Sequence, residues 1–582
     1  MSSIHGSRRR DLTPASGVSV PRTFLAWAGL CTTLLASIAC GSPQEPNVEA
    51  GAGASAVGGG SGAGGAEPGG GPTVPLSGGG VKLRLLTQAE YRASLELLFG
   101  DVTTPLELPE DTPVAGYISI GRASATVSTF AAEAYEAASR AVTAEVFADA
   151  SRWPIVVGCQ PLADLSDACV DTFVKSFGKR AFRRDLTDVE AQQWVKVARD
   201  AAALSTSAAT GLSTATSGLL QSPNFLYRAE VNALDVASQR LKYDGPSMAS
   251  RLSFFLTGKP PSPELLAAAA LGQLDTVEGV RAAAAPMLQD PAALENVNVF
   301  FNEYSQAQAV LKAQKDPALF PTFNQALQNS MLEGTRLFIK NIVLAPGADV
   351  RSFFTSDQTF ADALLAPIYG VLAPPSGFAQ VTVPAETGRA GILGQAGVIA
   401  GHSKADHSSP TIRGLFILSS FLCITPDPPP GDVITLLPED PNLTERQKLD
   451  LHRTSKTCAG CHALFDPLGF ALEHFDSIGQ YRATEHGLTI DATGSLNGVP
   501  FDGQAQLGAV LSQSPEAMTC MMRNFYNSAN ARTDDEADLP VIEQLATTLA
   551  SRNYVFSDFV AEFIASDAFR SAPAVPLTAG SL

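Results

Sequence analysis

The residues of this chain best suited to chemistry lie in Thr457-Cys458-Ala459-Gly460-Cys461-His462. Two thiols stand three positions apart, and an imidazole follows the second directly. On a helix, positions three apart share a face. Two such thiols reach the two vinyl groups of one porphyrin, and the histidine meets the iron from the proximal side. Cys-x-x-Cys-His is the attachment pattern of c-type haem, so the expectation is one covalent haem c on Cys458 and Cys461 with His462 as iron ligand. Competing uses of the motif are poorly served. A zinc site needs about four ligands, and no second Cys-x-x-Cys or spaced histidine pair completes one. A thioredoxin-like redox pair belongs beside a βαβ unit, which the sequence lacks.

For the far side of the iron the candidates are His402, His407, His452, His474, His486, Met518, Met521 and Met522. His402 is preferred, because it precedes a helix opened by Ser409 as cap and Pro410 at its first position. Met521 and Met522 are the alternative, and methionine would raise the reduction potential relative to histidine. Near the motif, Asp466, Glu473 and Asp476 read as a solvated rim or helix-capping carboxylates. Arg413 and Arg482 could neutralise haem propionates, and surface ion pairs are the simpler reading.

The remaining cysteines are read by position. Cys159 and Cys169 bracket nine residues containing Pro161, and a disulfide closing that short loop is expected for an exported chain. Cys423 and Cys520 are paired by elimination. Cys40 ends an apolar run from Phe24 to Ala39 that follows Arg8, Arg9, Arg10 and Arg22, the layout of a secretory signal peptide. Ser37-Ile38-Ala39-Cys40 resembles the lipobox of bacterial lipoproteins, with serine where leucine is usual, which implies lipidation of Cys40 and a membrane contact through that anchor. Residues 41–80 are nearly all Gly, Ala, Ser and Pro and read as a flexible tether.

The elements that must position the motif are helical. Thr87 with Glu90, Thr187 with Glu190 and Thr444 with Gln447 form capping boxes. Helical periodicity extends over 126–149, 169–183, 208–221, 246–256, 277–288, 323–343 and 358–369, and Phe556, Phe559, Val560 and Phe563 make an apolar stripe. The expected fold is mainly α, serial helical domains with a C-terminal cytochrome-c-like haem module. The divisions are 1–39 (signal peptide), 40–80 (tether), 81–150, 155–230, 240–372, 385–490 (haem attachment) and 491–572. A net charge of −18 over 582 residues excludes a nucleic-acid partner, since no basic surface can displace counterions from phosphate.

From Cys458 the sequence runs on as Ala463-Leu464-Phe465-Asp466-Pro467-Leu468-Gly469-Phe470-Ala471-Leu472-Glu473-His474-Phe475-Asp476 to Tyr481-Arg482. Earlier segments include Leu86-Thr87-Gln88-Ala89-Glu90-Tyr91-Arg92, Phe177-Gly178-Lys179-Arg180-Ala181-Phe182-Arg183-Arg184 and Leu220-Gln221-Ser222-Pro223-Asn224-Phe225-Leu226-Tyr227-Arg228. Ala249-Ser250-Arg251-Leu252, Ser409-Pro410-Thr411-Ile412-Arg413-Gly414 and Ser566-Asp567-Ala568-Phe569-Arg570 follow. In this order they resemble the bacterial exported cytochrome-c-like family assembled from serial domains of unknown function (modules 1587, 1595, 1592, 1588 and 1585). Asp185 departs from the pattern, standing where that family usually has proline.

The resemblance implies architecture and haem, and names no substrate. The function expected is an exported, lipid-anchored monohaem cytochrome of the periplasm or cell surface. It would transfer electrons to a redox partner or serve as the haem module of a larger oxidoreductase. The alternative is a surface protein binding a polymer or partner, with a mainly structural haem. A haem enzyme with an open distal position is the third possibility.

Overall fold

The computed structural model describes residues 81–162, 164–237, 240–427, 440–454 and 456–573. The signal peptide, Cys40 and the tether expected over 1–80 lie outside the described residues.

Helices dominate, and the polar start signals place them. Thr87, Thr187 and Thr444 each accept a hydrogen bond from the backbone three residues on, and Glu90, Glu190 and Gln447 return it to the cap. All three capping boxes therefore exist as expected, satisfying backbone donors that a helix start leaves unpaired. Helices Gln88–Phe99, Thr129–Ala148, Ala168–Phe182, Asp188–Ser205 and Ala208–Gln221 enclose a first core that includes Tyr91, Val142, Phe173 and Leu219. Cys159, in the loop before helix Ala168–Phe182, is joined to Cys169 in that helix's first turn, closing the short loop as expected.

Four antiparallel strands, β1 (Val81–Leu85), β2 (Tyr227–Asp235), β3 (Arg240–Tyr243) and β4 (Ser571–Pro573), pair in the order β1-β2-β3-β4. Leu83 lies opposite Ala229, and Ala572 opposite Leu241. This sheet was not expected from periodicity. It brings the first and last described segments together.

Beyond the first bundle one core runs through several sequence modules, drawing on Tyr117, Leu252, Phe301, Phe353, Phe465, Met521 and Phe559. Four helices concern the motif, of which α1 (Pro410–Phe421), α3 (Lys456–Phe470) and α4 (Pro515–Asn530) contribute to this core and α2 (Glu445–His452) lies beside α3 in sequence. Ser409 caps α1 and Pro410 opens it, as read from sequence. Cys423, just past α1, is bonded to Cys520 of α4, so the pairing reached by elimination is the one present.

One helix expectation fails. Residues 358–369 hold a strand, Gln358–Ala361, paired with Ala379–Thr382, before the short helix Ala366–Tyr369. Asp362 ends the strand: its Oδ1 accepts from the backbone of Leu364 and Leu365 and from Ser330 Oγ. A carboxylate bonding its own backbone two and three residues on favours a turn over continued helix.

Candidate functional site

Helix α3 carries the motif, and α1 holds α3 in place. Gly414 of α1 and Gly469 of α3 make the crossing possible. A β-carbon at Gly414 would collide with Phe465 O, and one at Gly469 with Pro410 O. Two backbones in contact leave no room for side chains, so α3 has little freedom to roll or slide.

Cys458 is half-buried and Cys461 exposed, and both are free thiols, whereas the other four described cysteines are in disulfides. Where a β-carbon would stand at Gly460, between them, there is open space. His462, one position on, is anchored at a single ring nitrogen. Its Nδ1 bonds Asp466 Oδ2 at 2.8 Å, and Thr411 Oγ1 of α1 donates to the other carboxylate oxygen at 3.1 Å. Asp466 is fully buried. Burial raises its pKa, with the neighbouring His462 and Thr411 pulling the other way. With Nδ1 committed to the carboxylate, Nε2 is the nitrogen left to bind a metal, the arrangement that fixes the tautomer of metal-binding histidines. Phe465 packs against the ring, with centroids 4.9 Å apart.

Three side chains lie differently from the sequence reading. Glu473 and Asp466 are not a solvated rim: the Glu473 side chain is 3% exposed and that of Asp466 0%. Arg413 is not in a surface ion pair. It is fully buried, and donates to Leu472 O, Phe475 O, Asp476 O, Ser403 Oγ and Glu473 Oε1. Arg482 and Ser408 complete the cluster on Glu473 Oε2. Burial raises the Glu473 pKa against the pull of the two arginines. Four acceptors on the turn-rich segment after α3 and a fifth, Ser403 Oγ, ahead of α1 take up the terminal nitrogens of the guanidinium, so it can be buried. Arg413 thus staples the segment leaving the motif onto α1.

His402 is a core side chain. Its Nδ1 donates to Val398 O at 2.8 Å, its Nε2 meets Gln306 Oε1, and its ring stacks on Phe416 at 3.9 Å. Burial holds its pKa down at about 4. The structure does not bring it to His462. Met521 and Met522 are fully buried on α4, in the core beside Phe525. The histidine that does lie beside His462 is His452, at the end of α2, with ring centroids 5.0 Å apart and planes at 70°. It was one name among eight in the sequence, and only the turn between α2 and α3 singles it out.

The donor set fits a covalent haem: two free thiols on one helix face beside an open position, and an oriented imidazole with one free nitrogen. A structural zinc site fits less well, since no group of three or more His, Cys, Asp or Glu is placed to hold a metal among the described residues.

Five family models match the chain in series. They are described as proteins of unknown function: DUF1587 (84–148), DUF1595 (169–230), DUF1592 (244–371), DUF1588 (389–485) and DUF1585 (497–569). Helices α1, α2 and α3 fall within the DUF1588 match. No curated protein and no solved structure matches the chain.

Proposed function

Because the chain belongs to the proteins assembled from these five modules in this order, we propose that it is an exported c-type cytochrome. One haem is bound through Cys458 and Cys461, with His462 as its iron ligand. The observation that carries this reading is the pair of free thiols on α3 beside a histidine whose Nδ1 is already held by Asp466. When bound, haem supplies one-electron exchange.

The chain's own residues do the rest. Cys458 and Cys461 anchor the group, and the Gly414–Gly469 crossing holds the helix that carries them. Asp466, itself held by Thr411, keeps the His462 ring in one tautomer and one orientation and strengthens it as a donor. A negative carboxylate behind the imidazole stabilises the more positive state of the metal. The role assigned is therefore electron transfer, to a separate partner or within a larger oxidoreductase. Export through the N-terminal signal and anchoring at Cys40 belong to the same proposal, and the two disulfides are compatible with an oxidising compartment.

The test is expression with the native signal in a host that attaches haem c. The protein should stain for haem after denaturing electrophoresis, and Cys458→Ser/Cys461→Ser should abolish the stain. A correctly exported, haem-free protein in that host refutes the reading.

A further inference from the structure

Resting on the haem reading above, we infer that His452, the last residue of α2, is the second axial ligand of the iron bound by His462. The two rings stand with centroids 5.0 Å apart and planes at 70°. They come from different helices that meet at a short turn, so the contact is set by the fold of this segment rather than by one helix's spacing. Both rings are half-buried, which excludes much of the competing water while leaving the pair approachable.

Metal–imidazole bonds are about 2 Å long, so two imidazoles on opposite sides of one metal stand with centres roughly 6 Å apart. The observed pair is about 1 Å short of that. Opening the pair to admit the haem falls to the end of α2, where Leu451 is exposed and Arg453 pairs with Asp450 of the same helix. Helix α3 need not move, and the Gly414–Gly469 crossing would resist it.

His486 is exposed in the turn between strands Thr484–Glu485 and Leu488–Thr489, and the remaining candidates are engaged elsewhere. His402 bonds Val398 and Gln306 and stacks on Phe416; His407 bonds Asp406; His474 bonds Arg482 O. Met518 is buried in the core and Met521 and Met522 lie in it fully buried. For any of these to ligate, core packing or an existing hydrogen bond must be given up. For His452 neither is required among the contacts described. Ligation by a neutral imidazole donates a ring-nitrogen lone pair to the metal and releases no group but water.

The experiment uses the full, haem-loaded protein. Electron paramagnetic resonance and near-infrared magnetic circular dichroism of the oxidised form should show a low-spin, bis-histidine iron. His452→Ala should convert it to high spin with covalent haem retained, and added imidazole should restore the low-spin signal. His452→Met should instead give a methionine–iron charge-transfer band and a higher midpoint potential. A low-spin bis-histidine signal that survives both substitutions overturns the inference and leaves the covalent haem standing. A wild-type protein that is high-spin also overturns it, and one without haem overturns the haem reading as well.

Discussion

At the scale of single residues, the site divides into what spacing reveals and what it conceals. Cys458, Cys461 and His462 are legible because the haem attachment proposed for them demands adjacency in sequence. Asp466 is four residues from His462, a spacing many exposed helical pairs share, so its burial becomes apparent only when Thr411 and α1 close over it. The same reasoning hides His452, whose partner is set by a turn. Asp466 carries a prediction. With haem bound as proposed, its carboxylate would favour the oxidised metal; losing second-sphere partners of this kind typically costs 10–100-fold in metal affinity or activity. A tenfold loss of the preference for the oxidised state on Asp466→Asn corresponds to a rise of about 59 mV in the one-electron midpoint potential, measurable by redox titration of the haem-loaded protein. An unchanged potential would mean that the hydrogen bond at 2.8 Å does not tune the metal.

At the scale of elements, the helix starts were legible and the helix crossings were not. Thr87, Thr187 and Thr444 announce their helices because a capping box is local chemistry. The Gly414–Gly469 contact joins residues 55 apart, and the sequence shows only two unremarkable glycines. Gly414→Ala should drive the new methyl into Phe465 O, costing at least about 3 kcal/mol by the upper range for overpacking, with a matching fall in the chemical-denaturation midpoint. Arg413→Ala should cost about 3–5 kcal/mol, because it strands Glu473 as a buried charge with only Arg482 left to neutralise it. Arg413→Ala/Glu473→Ala together should recover part of that loss, and a purely additive double variant would show that the pair does not act as a unit. The strand at Gln358–Ala361, read as helix from its periodicity, illustrates the reverse case. There the side chain of Asp362 bonds the following backbone and a partner strand is available at Ala379–Thr382, and together they override periodicity.

At the scale of the whole molecule, several segments that carried the family resemblance turn out to be arginine clamps, Arg183 within one module and Arg228 and Arg251 between modules. Arg183 donates to the carbonyls of Asn224, Phe225 and Tyr227, and Arg228 pairs with Glu90. Arg251 binds Glu230, Asn530 and the carbonyl of Phe569. Burial raises the pKa of Glu90 and Glu230, yet the surrounding arginines hold both below the ordinary value. Sequence showed these segments in order; it could not show that they converge, because convergence depends on β1 and β4 closing one sheet. Where Ile118 N meets Glu303 Oε1, another inter-element contact, burial pushes the Glu303 pKa up to about 7. A raised carboxyl pKa favours folding below the unfolded value near 4.5 and loses that advantage as pH rises through about 7. Glu303→Gln should therefore flatten the fall in Tm between about pH 4.5 and 7, and an undiminished fall would place its cause elsewhere. The Gly414–Gly469 crossing and the bonds of Arg413 to the segment after α3 hold this helix, the one proposed to carry the haem, against α1. The most direct test of that account is the intact mass of the mature protein made with haem-attachment machinery. The mass should exceed the polypeptide's by one haem, and peptide mapping should locate it on Cys458 and Cys461. A mature chain at polypeptide mass, with both thiols free or joined to each other, would contradict it.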